Sequence, residues 1–509
     1  KTEIDFDGIK GRSLVLDIPA GDYGRPIFAG NSIYYSRYGS GARGLYMFDL
    51  QSKKENELGN VSIVAVTADL KKFLVHSPSG YAVIDAPKGK INVDKTINLS
   101  EVKTFVNLHE EWNQIYNECW RQMRDFFYDP DLHGINWKAI REKYAPLVEH
   151  VNDRNDLNYI IGEMIGELTT GHCYISGGDK YAPPRVKTGL LGAKISKDKS
   201  GYFKIDKILE GRNWSPALRS PLTEIGVDAA EGDFIIAVNG KPTHKINDIY
   251  AILYDKAGKQ IELTLNKTAS ESGSRKVLIK PVDDESSLYY FDWVQKNIEK
   301  VTKATNGEVG YIHIPDMGAA GLNEFVKYYY PQLNKKALII DDRGNGGGNV
   351  SPMIIERLRR ELSLLSAPRN GRPGPKPSGT MAGPKILLVD LYSASDGDLF
   401  PYQFKYHKLG KIVGIRTWGG VVGIRGSLPI IDGGSLNRPE YAHLDAEGKQ
   451  FIIEGHGVEP DIVVDNDPAK EYAGEDQQLD KAIEQILQEL KAKPVNIPDK
   501  FPKYPDKSK

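Results

Sequence analysis

Lys385–Gly423, KILLVDLYSASDGDLFPYQFKYHKLGKIVGIRTWGGVVG, decides the fold of the larger part of this 509-residue chain. Ile386–Val389 is an unbroken aliphatic and β-branched run, which reads as a strand buried on both faces. Beyond Ser395, Asp396-Gly-Asp-Leu-Phe-Pro-Tyr-Gln-Phe reads as a helix, with acidic residues in the first turn where the helix end is partially positive. Lys411-Ile-Val-Gly-Ile is the next strand. This order puts Ser395 on a tight strand-to-helix turn at the carboxyl edge of a sheet, with free backbone N–H groups beside it. A serine there is either a nucleophile or a plain helix N-cap, and the stretch alone does not choose between them.

The flanking sequence repeats the strand and helix alternation. Val309-Gly-Tyr-Ile-His-Ile and Ala337-Leu-Ile-Ile-Asp-Asp read as strands, and Leu322–Leu333 and Pro352–Leu362 as amphipathic helices. A largely parallel sheet with crossover helices follows, its active edge at the strands' carboxyl ends. The proline- and glycine-rich segment Ala367–Gly383 interrupts the pattern as a long loop, read as a lid or an interface arm. Asp341-Asp-Arg-Gly-Asn-Gly-Gly-Gly-Asn invites a dinucleotide-binding reading, which fails because Asn349 stands where the third glycine belongs. Glycines after a strand also let backbone N–H groups approach a ligand closely enough to stabilise an oxyanion.

Upstream, Ser32–Ser36, Gly44–Leu50, Val61–Val66, Lys72–His76 and Tyr81–Asp85 read as short strands resembling propeller blades. Residues 1–100 hold about two blades at roughly 40 to 45 residues each, whereas closed propellers need at least four. The segment is either a remnant of a longer propeller or a small independent β-domain. Between Glu101 and Leu168 the period turns helical: Trp112, Ile115, Tyr116, Cys119, Trp120, Met123, Phe126 and Phe127 share one face, and a second helix follows Asp153–Asn155. Gly171 ends it and presents His172 on a turn. Residues 186–283 change to short strands and glycine turns. Thr188-Gly-Leu-Leu-Gly-Ala and Val227–Pro242 resemble a PDZ domain, a resemblance that makes Gly189, Leu190, Leu191 and Gly192 a loop offering amides to a peptide carboxylate. A groove blocked or used internally is the other reading of that loop.

Hydrophobic residues are 40% of the chain and charged residues 27%, and no apolar run approaches the roughly 20 residues of a membrane helix. A net charge of -1 argues against a nucleic-acid binder. Cys119 and Cys173 allow at most one disulfide and say little about compartment. No metal-ligand pattern is visible, and no cofactor is expected. A start at Lys1 without methionine reads as a processed form or a fragment.

Together, Thr170-Gly-His172-Cys-Tyr, the PDZ-like insert, Asp341-Asp-Arg-Gly-Asn-Gly-Gly-Gly, Ser393-Ala-Ser395-Asp-Gly-Asp, Gly414-Ile-Arg-Thr-Trp-Gly-Gly-Val-Val-Gly and Glu454-Gly-His-Gly-Val-Glu-Pro-Asp461 resemble the core of the tricorn proteases. These form a branch of the C-terminal processing peptidase group of serine peptidases. The motifs occur in the family's order over about residues 100–490. The resemblance implies a multidomain α/β protein. Its parts are a propeller-like segment (1–100), a helical subdomain carrying the histidine (101–185), a PDZ domain (186–283), a ClpP/crotonase-like α/β catalytic sandwich (284–498) and a disordered tail (499–509). It implies Ser395 as nucleophile, His172 as general base, Glu454 as the carboxylate orienting it, and the N–H groups of Gly348 and Asp396 as oxyanion hole. Gly347 is implied to bind substrate, and Ser366 to occupy the position that selects the residue before the cleaved bond. Peptide or unfolded polypeptide substrates, a homo-oligomer and a cytoplasmic location are implied as well, with a periplasmic location as the alternative. A silent PDZ-based peptide-binding protein and an amidase or esterase with the same triad are the rival functions.

Two departures from the family pattern carry expectations of their own. Gly171 stands where the family has a serine relay, and Thr170 or a water is expected in its place. Ser366 stands where an aspartate selects basic residues, so neutral or apolar side chains are expected to be taken at least as well. The sister branch's lysine base is replaced by Gly420, which favours the serine and histidine pair, although Lys405, Lys408 and Lys411 are near in sequence.

Overall fold

A computed structural model describes residues 3–24, 26–38, 43–426, 428–495, 497–498 and 500–508. Two units emerge, Lys1–Val106 and Asn107–Lys509. In the first, an antiparallel sheet of five strands includes Ser32–Tyr38, Gly44–Asp49 and Lys54–Gly59, and a three-stranded sheet holds Ser62–Val66, Lys72–Ser77 and Gly80–Asp85. Tyr34, Leu45, Met47, Leu58, Phe73 and Val75 form its main core. These are propeller-like blades, and they close no ring among the described residues.

The second unit opens with helices α1 (Leu108–Phe126), α2 (Trp137–Val148) and α3 (Arg154–Gly166). The apolar positions of α1 named above recur three and four apart, and Trp112, Ile115, Tyr116, Cys119 and Met123 are buried against Leu157, Ile161 and Ile165 of α3. Residues 101–106 carry no helix, so the helical period begins later than the sequence pattern suggests. Ile430 and Leu436 complete this core from far along the chain, and Tyr174–Ser176 pairs antiparallel with Ser435–Asn437. The Arg154 and Asp432 ion pair, 1% and 2% exposed at 2.6 Å, fastens the same junction.

An antiparallel sheet follows, running from Ala193–Lys197 to Arg275–Ile279 around a core of Ile205, Ile235, Leu253 and Leu263. Helix α4 (Ser286–Ala304) then leads into a five-stranded sheet: β1 (Val309–His313), β2 (Ala337–Asp341), β3 (Lys385–Val389), β4 (Gly410–Gly414) and β5 (Ile462–Val463). All four pairings are parallel and sequential. Helices α5 (Ala319–Tyr329), α6 (Ser351–Leu358) and α7 (Asp396–Tyr406) cover one face with Phe325, Ile354 and Phe400, as crossovers of one hand require. α4 and α8 (Gln477–Ala492) cover the other with Val301 and Ile483. Leu387 and Val389 face the first layer, Ile386 and Leu388 the second, which is why β3 is apolar without alternation.

The expected loop 367–383 is partly ordered pairing, since Leu364–Ser366 and Gly374–Lys376 form a hairpin. Of the tail expected to be disordered, Asp499 and Lys509 lie outside the described residues, and 500–508 carry no helix or strand. No helix is long and apolar enough to cross a membrane, and no metal-binding cluster is present, both among the described residues.

Candidate active site

The sheet's carboxyl edge assembles the expected residues. Ser395 sits at φ 58°, ψ -120°, a region strained for a residue with a side chain, immediately before α7. Asp398 holds it there, its carboxylate accepting the N–H groups of Ser395 (2.9 Å), Gly419 (2.8 Å) and Gly420 (3.3 Å). The neighbouring Asp396 carboxylate accepts the Ser351 N–H at 2.9 Å and its hydroxyl. Among the described residues the main-chain N–H groups of Asp396 and Gly348 both lack an acceptor. Gly347, at φ 99°, abuts the turn so closely that a Cβ there would lie 2.5 Å from Ser395 Cβ and 2.9 Å from Asp396 N. Only glycine allows the loop this approach.

His172 reaches the same place from the end of α3. It lines a cavity of about 370 Å³ together with Ser395, Tyr174, Leu391, Tyr392 and Trp418. Trp418 and Tyr174 stand edge-on to its ring at 6.3 and 6.1 Å. The His172 Nδ1 is buried and meets no hydrogen-bond partner among the described residues. Burial lowers the ring below its usual pKa, while the Glu454 charge and the Val422 main chain pull the other way. No hydrogen bond joins His172 to Ser395 in this state.

Glu454 meets four donors. The Thr170 hydroxyl (3.0 Å) and Gly171 N–H (2.7 Å) reach Oε1, and the N–H groups of Val421 (2.7 Å) and Val422 (2.9 Å) reach Oε2. Thr170 thus takes the Glu454 side of the position expected for the relay, but neither it nor Glu454 hydrogen-bonds His172. The Glu454 charge favours the protonated imidazole, and its Oε1 accepts from the turn that carries the ring. A Cβ on Gly171 would stand 2.9 Å from Gly420 Cα and 3.3 Å from Glu454 Oε1, so the space a serine needs is filled by main chain.

Other expected residues fall elsewhere. Ser366 lies on the Leu364–Ser366 hairpin and is not among the cavity's lining residues. His456 is exposed, with Nδ1 on the Glu454 carbonyl at 3.1 Å, and Lys405 donates to the Glu459 carbonyl at 3.1 Å. In the PDZ-like loop, the N–H groups of Gly189 and Leu190 pair with Leu253 and Val282 carbonyls at 2.8 Å, and Gly192 N–H donates to Glu285 Oε2 at 3.0 Å. Three of the four amides are therefore used internally.

Sequence reasoning missed Asp398, although a serine followed three positions later by an acidic residue is a capping-box signal. It also missed His443, half-buried between the charges of Asp396 and Glu454 and lowered in pKa by that burial; no spacing marks it.

Comparison with known proteins agrees with this geometry. Residues 108–166 match the tricorn protease C1 domain, 189–284 the tricorn protease PDZ domain and 308–464 peptidase family S41. The chain is 33% identical to the tricorn protease of Thermoplasma volcanium over 98% of its own length and 49% of that protein's. It is 31% identical to tricorn protease homolog 1 of Streptomyces coelicolor, with the same coverage of both. The crystal structure of the tricorn protease superposes with a TM-score of 0.86 at 32% identity, over 93% of this chain and 47% of that one. The chain belongs to the tricorn protease family. It spans about half the length of the curated tricorn relatives it matches. Gly347, Gly348, Ser395, Asp396 and Glu454 fall within the matched S41 segment, and His172 falls between the matched tricorn C1 and PDZ segments.

Proposed function

We propose that this chain is a serine peptidase in which Ser395 attacks a peptide carbonyl, His172 takes its proton, and water resolves the acyl-enzyme. The observation supporting it is one cavity lined by both side chains, beside two unpaired N–H groups at Gly348 and Asp396. A serine hydroxyl needs a neutral base of pKa near 7 and a fixed oxyanion site, and each such donor supplies roughly 3 to 4 kcal/mol. In this reading 101–185 supplies the base, 284–498 the nucleophile, 186–283 a PDZ domain and 1–100 propeller blades; self-association of the chain belongs to it as well.

A fluorophosphonate probe with intact-mass readout tests the assignment. One adduct on Ser395 is expected. No adduct on a folded chain favours the silent PDZ scaffold, and an adduct with ester but no peptide turnover favours the esterase.

The sign of the pH dependence follows from His172. The neutral ring is the active form, so kcat/KM falls as pH drops through its pKa. Because burial lowers that pKa, the acid limb of a kcat/KM profile is expected below pH 6.5. A limb centred above pH 7 contradicts the environment described.

Specificity follows from the cavity wall. Leu391, Tyr392, Tyr174 and Trp418 offer no carboxylate, so burying a lysine or arginine there costs its hydration without a partner. Peptides with apolar residues before the cleaved bond are expected to exceed basic ones by at least about 10-fold in kcat/KM. A peptide library varied at that position reads this directly, and a preference for arginine would refute it.

A further inference from the structure

Behind the glycine loop lies a buried polar pair that the reaction above does not use. Asn345 is 0% exposed, and every polar atom it owns is engaged. Its Nδ2 donates to the Ile314 carbonyl (3.1 Å) beyond β1 and to Asp342 Oδ1 (2.8 Å). Its Oδ1 accepts the Gly347 N–H at 3.0 Å, and its main-chain carbonyl accepts the Ala394 N–H at 2.8 Å, one residue before Ser395. The first turn of α7 packs on the same carbonyl, since a Cβ on Gly397 would lie 2.3 Å from it. One side chain and its own carbonyl thus tie together the loops that follow β1, β2 and β3.

Its partner Asp342 is equally enclosed at 0% exposure. Asp342 Oδ2 has no hydrogen-bond partner among the described residues, and Asp341, Asp390 and Asp398 are charged neighbours. An ionised carboxylate in that place would be an uncompensated buried charge among like charges. Burial accordingly raises its pKa well above the carboxylate range.

Resting on the peptidase reading, we propose that Asn345 is a positioning residue, held by Asp342, that sets the distance between the Gly348 oxyanion donor and Ser395. Asn345 touches no reacting atom. Gly347 lies between it and the nucleophile, so a shift of the Asn345 side chain moves the Gly347–Gly348 main chain relative to the turn at Ser395. Because a carboxyl group and a carboxamide have the same shape and both offer an acceptor oxygen, Asp342→Asn preserves the arrangement, whereas Asp342→Ala frees the Asn345 amide.

The test uses the whole chain, a peptide substrate, and a peptide boronate that mimics the tetrahedral intermediate. Turnover and labelling at Ser395 in the unmodified chain establish first that the peptidase reading holds; their absence sinks that reading and is distinguishable from failure of this one. Asn345→Ala is expected to lower kcat by about 100-fold with KM within about threefold, and to weaken the boronate by the same factor as kcat/KM. Asp342→Ala is expected to lower kcat by about 10-fold with the same parallel, and Asp342→Asn to stay within about threefold of the unmodified chain. Should Asn345→Ala fail to fold, the two Asp342 variants decide. The proposal is overturned if kcat falls while boronate affinity is unchanged, if Asp342→Asn loses as much as Asp342→Ala, or if folded Asn345→Ala keeps its kcat.

Discussion

Ser395→Ala is expected to lower kcat for peptide hydrolysis by on the order of 10⁴–10⁶-fold, because it removes the hydroxyl proposed above to form the acyl-enzyme. The chain should stay folded and bind substrate. The Ser395 N–H that anchors the turn to Asp398 is a main-chain group and survives the change. Residual catalysis comes from the amides of Gly348 and Asp396, which still polarise a bound carbonyl. Single-turnover assays on protein freed of contaminating peptidase measure the loss. Hydrolysis within about 10-fold of the unmodified chain would remove Ser395 from the nucleophile's role. Its helix-capping position would then be its whole function, the bland reading that the isolated stretch also allowed.

The second large effect falls on stability. Asp432→Ala leaves the Arg154 guanidinium buried with its carboxylate gone, and breaking such a pair costs about 3–5 kcal/mol. Arg154 Nη2 already lacks a partner among the described residues, and Nη1 has only the neutral Asn158 Oδ1 as its acceptor there. Asp432 also accepts the Gly434 and Asp179 N–H groups at 3.0 and 3.2 Å, which lose their acceptor together. Urea unfolding followed through Trp112, Trp120 and Trp137, which sit in the helices beside this junction, should show a lower midpoint. Replacing both partners by apolar residues, Arg154→Met with Asp432→Leu, is expected to recover most of the loss. An unchanged midpoint for Asp432→Ala would mean that water reaches the pair. Since this junction also fixes α3, whose end presents His172, the single variant should lose kcat as well.

The sheet, its edge and the nucleophile turn were legible because each rests on a local pattern. β3 is apolar on two faces, and the acidic first turn of α7 announces a helix. His172 and Glu454 were singled out only through the order of motifs, because the approach of the Thr170–His172 turn to Glu454 is made by long-range packing that no period records. What escaped is instructive. Thr170 or a water was expected between Glu454 and the histidine; the Thr170 hydroxyl does donate to Glu454, while the three main-chain donors that share its carboxylate were not foreseen. Gly171 reads in sequence as a missing relay; in space it is a close crossing with Gly420. Asn345 looks like an interruption in a run of glycines until its partners on neighbouring loops are seen. The hairpin at Leu364–Lys376 was hidden because prolines and glycines interrupt its strands.

The order of the site's parts along the chain has a consequence for biosynthesis. The Thr170–His172 turn is made first, the sheet edge with Gly348 and Ser395 follows the intervening antiparallel domain, and Glu454, which pins that turn, comes last. During synthesis the proposed nucleophile therefore emerges before the carboxylate that accepts from the turn carrying the proposed base. Until the Glu454 segment emerges, the Gly171 N–H and the Thr170 hydroxyl have no acceptor to settle on, so the peptidase proposed here would be born inert. Newly made neighbours crowded on the same message would be spared until synthesis of the core is nearly finished.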